Sequence, residues 1–271
     1  MIYSLLKSIP KLELISVLPE RQARPAPLLF VHGAWHAAWC WQEHFLPYFA
    51  EQGYECHALS LRGHGGSDCH SRLRWHRAQD FVRDIGHVAG QLSTPPIVIG
   101  HSMGGYLVQK YLESYQAPAG ILLAPVPAHG VWRITLKTLR RFPLHFLRLN
   151  LRLSLWPLME TPAMARFHLF SDEMPEEQVS RYQGRLQDES YRGYLDMMLF
   201  DLPKPARVKT PLLVLGAAED RIFAPHEVEA TAAAYGTSAQ IFPGMAHDMM
   251  LEAGWQKVAE MMVGWLTARG L

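Results

Sequence analysis

The chain has 271 residues, 49% of them hydrophobic and 19% charged, which is typical of a globular protein with one large core. Its formal net charge is only +1, so composition gives no indication of a nucleic-acid partner. Cys40, Cys56 and Cys69 form no C-x-x-C pattern, and we expect neither a disulfide framework nor a metal site. Residues 1–10 lack the features of a signal peptide, and no run of about 18 apolar residues occurs, so a cytoplasmic protein is expected.

Strand-like and helix-like segments alternate along most of the chain. Short apolar runs predict strands at 11–18, 27–31, 54–60, 96–99, 119–124, 211–216 and 239–242. Helical spacing or composition predicts helices at 39–52, 77–92, 106–112, 225–235 and 254–268. Continuous apolar strands that alternate with helices predict an α/β fold, with a mostly parallel central sheet flanked by helices on both faces.

The alternation stops between residue 125 and about residue 205. This stretch is helix-like, rich in methionine and interrupted by prolines. We predict an inserted helical cap at 126–205, on a core made of residues 1–125 and 206–271. Ligands of open α/β sheets bind at the carboxyl ends of the strands, so the cap is expected to cover that edge.

Residues 100–105 read GHSMGG and lie between a predicted strand and a predicted helix. In a G-x-S-x-G pattern at such a turn, the glycines allow a sharp bend that exposes the serine hydroxyl. The amino terminus of the following helix favours negative charge at this point. Ser102 is therefore the predicted nucleophile.

A serine hydroxyl needs a neighbouring base, because it is a weak nucleophile at neutral pH. Asp220 follows the predicted strand at 211–216, and His247 follows the predicted strand at 239–242. We predict that His247 acts as general base and then general acid, and that Asp220 orients its imidazole. The chain has 14 histidines. Of these, His32, His64 and His101 also lie near motifs, and we expect them to have structural roles.

An oxyanion formed at Ser102 requires two fixed N–H donors. The residue after the nucleophile, Met103, is predicted to supply one from its backbone. The other is expected from the loop after the predicted strand at 27–31. Ala34 is the preferred donor there, and Trp35 is the alternative.

Taken together, these motifs resemble those of serine α/β-hydrolases of the capped carboxylesterase and lysophospholipase-like kind. The matching stretches, in order, are HGAW at 32–35, LRGHGGS at 61–67, GHSMGG at 100–105, GAAED at 216–220 and GMAH at 244–247. The resemblance implies hydrolysis of a small-molecule carboxylic ester through an acyl-enzyme, with no cofactor. In the family the acid more often lies three residues after the glycine, where Glu219 stands here. We prefer Asp220 because the stretch up to Pro225 then matches the family pattern.

The same scaffold supports other activities, which differ in particular residues. The stretch around HGAW also resembles plant methylesterases and hydroxynitrile lyases, but the lyases carry Lys after the catalytic histidine and this chain has Asp248. A serine nucleophile, not an aspartate, counts against haloalkane dehalogenase and epoxide hydrolase activity. A cofactor-independent C–C hydrolase or dioxygenase and a non-catalytic binding protein stay open as alternatives.

Residues 131–152 carry six basic side chains and no acidic one. The basic residues are Arg133, Lys137, Arg140, Arg141, Arg148 and Arg152. They predict either the solvated face of an amphipathic helix pair or a surface that meets an anionic partner, such as lipid headgroups, an acyl carrier or an acyl-CoA. The apolar side chains of the cap favour a hydrophobic acyl or lysophospholipid-like ester, and the candidate substrate-binding residues are Trp35, Trp132, Met159 and Met198. The sequence gives no indication of the oligomeric state.

Overall fold

The computed structural model describes residues 10–20 and 24–271, and within them seven strands form one sheet. The strands are β1 Leu14–Val17, β2 Leu28–Val31, β3 Cys56–Leu59, β4 Ile97–His101, β5 Gly120–Leu123, β6 Leu212–Ala217 and β7 Ala239–Phe242. Their spatial order is β1-β3-β2-β4-β5-β6-β7. Strand β1 is antiparallel to β3, with Leu14 opposite Leu59, and the other pairs are parallel.

Helices cover the sheet and form a separate group above it. The helices are α1 Trp39–Gln42, α2 Phe45–Glu51, α3 Ala78–Ala89, α4 Met103–Tyr111, α5 Trp132–Arg141, α6 Pro143–Arg152, α7 Pro162–Leu169, α8 Glu176–Gln183, α9 Tyr191–Leu195, α10 Pro225–Ala234 and α11 Trp255–Thr267. Helix α9 continues as a π-helical turn, Asp196–Phe200. None of the helices in the described ranges is long and apolar enough to cross a membrane.

The fold class predicted from the sequence is confirmed. Strands β2, β3, β4, β5 and β6 are buried along their whole length, which explains their continuous apolar runs. One boundary prediction was wrong: the segment 39–52 is two helices, because His44 leaves the helical region with φ −138° and interrupts the run. The prediction that no signal peptide is present concerns residues 1–10, of which the structure describes only residue 10.

The segment 126–205 contains α5 to α9 and no strand. Its two basic helices are only lightly buried, with Thr138 buried in α5 and Leu149 in α6. Just before α9 the chain returns to the core. The Gln187 backbone N–H donates to the carbonyl of Trp35 (2.9 Å), and the Ser190 hydroxyl donates to the carbonyl of His76 (2.6 Å).

Candidate active site

Ser102 lies between β4 and α4 in a strained backbone conformation, with φ 52° and ψ −115°. Non-glycine residues rarely adopt a positive φ, and such strain is typical of functional sites. The flanking glycines are required by close packing. A Cβ at Gly100 would lie 2.3 Å from the Gly104 carbonyl oxygen, and one at Gly104 would lie 2.2 Å from that of Val31. The turn thus holds Ser102 at the carboxyl edge of the sheet.

The structure brings His247 and Asp220 together at that edge. Nδ1–H of His247 donates to Oδ2 of Asp220 over 2.7 Å, and both side chains are buried. The other carboxylate oxygen, Oδ1, accepts the backbone N–H groups of Ile222 (2.7 Å) and Phe223 (3.0 Å). These bonds fix the direction of the carboxylate and orient the imidazole, with Nε2 as the ring nitrogen that does not face Asp220.

This Nε2 is buried and has no hydrogen-bond partner among the described residues. An unpartnered buried acceptor is costly, so the geometry keeps a base available for a proton from a ligand or from Ser102. Catalytic hydrogen bonds are often long without substrate and shorten in the complex.

Glu219, the alternative acid, does not contact His247. Its side chain is exposed, and its backbone N–H donates to the carbonyl of Met245 (2.9 Å). The residue that reaches the imidazole is Asp220, because it is the one that turns back into the core after β6.

The loop after β2 places Ala34 beside Ser102 and Met103 on the wall of one cavity. The N–H of Trp35 already donates to Oε2 of Glu189 (3.3 Å), so it is not free for a ligand. Met103 is the first residue of α4, where backbone N–H groups have no partner inside the helix. The geometry therefore favours Ala34 over Trp35 as the second donor.

Two buried histidine–carboxylate pairs hold this loop. His36 donates Nδ1–H to the Ala34 carbonyl (2.8 Å) and Nε2–H to Asp248 (3.0 Å). His64 bonds to Glu189 (3.0 Å), the same carboxylate that binds Trp35.

Burial alone lowers a histidine pKa, but the carboxylate beside each ring outweighs it. The pKa values of His36 and His64 are therefore raised. For Asp248, burial raises the pKa, but the neighbouring His36 outweighs it and the net shift is downward. Neither pair could be predicted from the sequence, because residues 36 and 248, like residues 64 and 189, lie far apart in the chain.

The histidines next to the motifs hold backbone groups. His32 accepts the Leu61 N–H at Nε2 (3.1 Å), and its Nδ1–H donates to the Gly33 carbonyl (2.8 Å). His101 donates Nε2–H to the carbonyl of His247 (2.9 Å). Burial and the nearby His247 lower the pKa of His101 to about 3, so it is neutral at pH 7.

One group of side chains could hold a cation by distance alone. Ligand atoms of His101, His247 and Asp248 all lie within 4.8 Å of one another. However, His101 already donates to a backbone carbonyl, His247 to Asp220, and Asp248 accepts from His36. Each residue is thus held by the fold through one atom, whereas His101 Nδ1, His247 Nε2 and Asp248 Oδ1 are buried without a hydrogen-bond partner among the described residues.

Ser102 faces an apolar cavity of about 80 Å³ between the sheet and the segment 126–205. This segment contributes most of the wall: Val126, Val131, Ile134, Thr135, Thr138, Phe146, Leu149, Leu155, Leu158, His168, Tyr194 and Met197. Of the four candidate substrate-binding residues, Trp35 lines this cavity. Trp132 is exposed on the outer face of α5, while Met159 and Met198 pack elsewhere in the core.

Comparisons with known proteins show the family of this chain. Residues 28–261 match the Alpha/beta hydrolase family. The chain belongs to that family. As a member of the α/β-hydrolase family, it is also 31% identical over 96 residues to protein phosphatase methylesterase 1 of Bos taurus. That match spans 34% of this chain and 25% of the relative.

Solved structures of low sequence identity show the same fold. A monoacylglycerol lipase of Paleococcus ferrophilus has a TM-score of 0.72 at 18% identity, covering 96% of this chain and 99% of its own. A thermophilic esterase of Thermogutta terrifontis has a TM-score of 0.74 at 18% identity, covering 97% and 95%. The fold of this α/β-hydrolase is therefore shared with solved structures of an esterase and a lipase.

Proposed function

We propose that this α/β-hydrolase cleaves carboxylic esters with Ser102, His247 and Asp220 as a catalytic triad. The observation that carries the proposal is the Asp220–His247 hydrogen bond, which leaves a buried, unpartnered Nε2 at the edge where Ser102 is held in a strained turn. A serine with an oriented neutral imidazole is the arrangement that nucleophilic acyl transfer requires.

The reaction follows from these positions. Oγ of Ser102 attacks the acyl carbon while Nε2 of His247 takes its proton. The N–H groups of Ala34 and Met103 stabilise the oxyanion. The alcohol leaves with the proton from His247, which gives an acyl-enzyme. His247 then removes a proton from water, and the resulting attack releases the carboxylic acid and restores Ser102. No step needs a cofactor.

The cavity supports an ester with a hydrophobic acyl group. Its wall is almost entirely apolar, and it begins at Ser102 and extends beneath α5 and α6. An acyl chain buried there gains from leaving water, at about 0.8 kcal/mol for each methylene group. A panel of p-nitrophenyl esters of increasing chain length would measure this preference as a rise in kcat/KM.

A fluorophosphonate probe tests the nucleophile. The proposal predicts covalent labelling of the wild-type protein and none of Ser102→Ala, while Ser114→Ala, a change at an exposed serine, labels normally. Ester turnover by Ser102→Ala should fall by about 10⁴-fold or more. Absence of labelling in folded wild-type protein would refute the esterase proposal.

A further inference from the structure

The outer face of α5 and α6 is unusually apolar for an exposed surface. Six large side chains stand out on it: Trp132, Leu136, Leu139, Leu144, Leu147 and Leu151. Trp132 is 48% exposed, Leu144 72% and Leu151 76%. Clustered exposed apolar side chains mark contact surfaces for other molecules more often than scattered single ones do.

The same face carries cations that are not neutralised by carboxylates of the described residues. Within the described ranges, no carboxylate forms an ion pair with any of five cationic side chains, which are those of Arg133, Lys137, Arg140, Arg141 and Arg152. Arg148 differs, since it binds Glu160 with two short hydrogen bonds (2.6 and 2.8 Å). The segment 131–152 contains no acidic residue. The face is thus strongly positive on a chain whose net charge is only +1.

Three cavities adjoin one another between this face and Ser102. The groove on α5 is lined by four of these cations together with Trp132, Leu136 and Phe167. A small cavity of about 10 Å³ shares Lys137, Arg141 and Phe167 with the groove. It shares Ile134, Thr138 and His168 with the Ser102 cavity. One layer of shared side chains therefore separates the cationic face from the cavity at Ser102.

We propose that the outer face of α5 and α6 docks on an anionic lipid bilayer, and that an ester drawn from the bilayer enters the Ser102 cavity beneath these helices. Basic side chains near a membrane are attracted to its negative surface, and leucines on the same helices insert among the acyl chains. A bilayer is favoured over an acidic carrier protein because the exposed leucines extend along two successive helices. The delivery of an ester rests on the proposed function, whereas the docking does not.

Vesicle binding by Ser102→Ala protein tests the docking without turnover. The protein should co-sediment with vesicles of phosphatidylcholine mixed with phosphatidylglycerol, and far less with phosphatidylcholine alone. Adding Arg140→Glu and Arg141→Glu should weaken binding by about tenfold or more, because each basic residue near the surface contributes to attraction. Arg72→Glu with Arg74→Glu makes the same charge change at exposed arginines outside segment 126–205 that pair with no carboxylate in the described ranges, and should bind like the parent.

The leucines are tested separately. Changing Leu144, Leu147 and Leu151 together to Gln should weaken vesicle binding even at low salt, where the electrostatic attraction is strongest. All three side chains are exposed, so the thermal unfolding midpoint should stay close to that of the parent. This midpoint shows whether a loss of binding reflects the surface or the fold.

The outcomes separate the docking from the catalytic proposal. The docking is overturned if anionic vesicles do not bind, if the arginine reversal leaves binding unchanged, or if an acidic acyl carrier protein binds while vesicles do not. Vesicle binding by a wild-type protein that hydrolyses no ester would support docking and refute the esterase function. For the wild type, the ratio of hydrolysis of a vesicle-embedded ester to that of a water-soluble ester should exceed the ratio for the arginine-reversed variant.

Discussion

Charged side chains are buried and hydrogen-bonded at the carboxyl edge of the sheet, but exposed on the outer face of α5 and α6. At the sheet edge, His247, Asp220, His36 and Asp248 are buried, and each is bonded to a named partner. On α5 and α6, Arg140 and other cations are exposed and pair with no carboxylate among the described residues. Hydrogen bonds therefore fix the charged groups at the sheet edge, whereas those on α5 and α6 lie at the surface of the described structure.

The largest expected effect lies in the core. Asp220→Asn removes the acceptor that orients His247 and should lower kcat for a short ester by about 10⁴-fold. Glu219→Gln is the matched control, because Glu219 is exposed and does not contact the imidazole. Steady-state kinetics on both variants test the assignment. A loss in Glu219→Gln as large as that in Asp220→Asn would contradict it.

A buried ion pair at the sheet edge and an exposed ion pair at the surface should differ in their effect on the free energy of unfolding. Asp248→Asn leaves the His36 imidazolium buried without its carboxylate, and we expect a loss of about 3–5 kcal/mol in the free energy of unfolding. Asp172→Asn breaks an ion pair with Arg221 at the surface, where solvent screens the charges, and should change stability little. Urea unfolding at pH 7 measures both, and equal losses would show that burial does not set the difference.

A smaller effect concerns acid stability. Burial lowers the pKa of His168 to about 4, with the nearby Lys137 adding to the shift. In the unfolded chain His168 binds a proton near pH 6.5, whereas in the folded chain it does so only near pH 4. The free energy of unfolding therefore falls as the pH drops from 6.5 toward 4. His168→Leu should make this decline shallower by up to about 1.4 kcal/mol per pH unit. An unchanged slope, measured by urea unfolding across this range, would contradict the shift.

His36 and His64, whose pKa values are raised, should have the opposite effect on acid stability. The pKa values of His36 and His64 lie above 6.5 in the fold, so the stability that they contribute is present at acid pH and is lost as the pH rises through those values. The pH dependence of the whole protein is the sum of both classes, which is why the single-variant comparison is needed for His168.

Much of the fold could be predicted because buried strands appear in the sequence as short runs of apolar residues. Strands buried on both faces must be apolar throughout, and the glycines around Ser102 are demanded by close contacts of the backbone. Asp220 and His247 were predicted from their places after β6 and β7, and the structure brings them together.

The cap could not be predicted in the same detail. Helix α5 has apolar side chains on both faces, so the sequence does not tell that Ile134 and Thr138 face the cavity while Leu136 and Leu139 face outward. The His36–Asp248 and His64–Glu189 pairs were missed because each joins residues far apart in the chain. Such long-range contacts depend on the assembled fold and not on local pattern.

The return of the cap segment to the core sets a limit on how hydrolases of this kind can be recombined. Gln187 bonds to Trp35, Glu189 to Trp35 and His64, and Ser190 to His76. Although these residues lie between α8 and α9 within the segment 126–205, Gln187 and Glu189 brace the loop that carries Ala34. A chimera that grafts a foreign cap onto this sheet should therefore end the graft before Gln187, because a later junction would exchange part of the catalytic scaffold together with the substrate pocket.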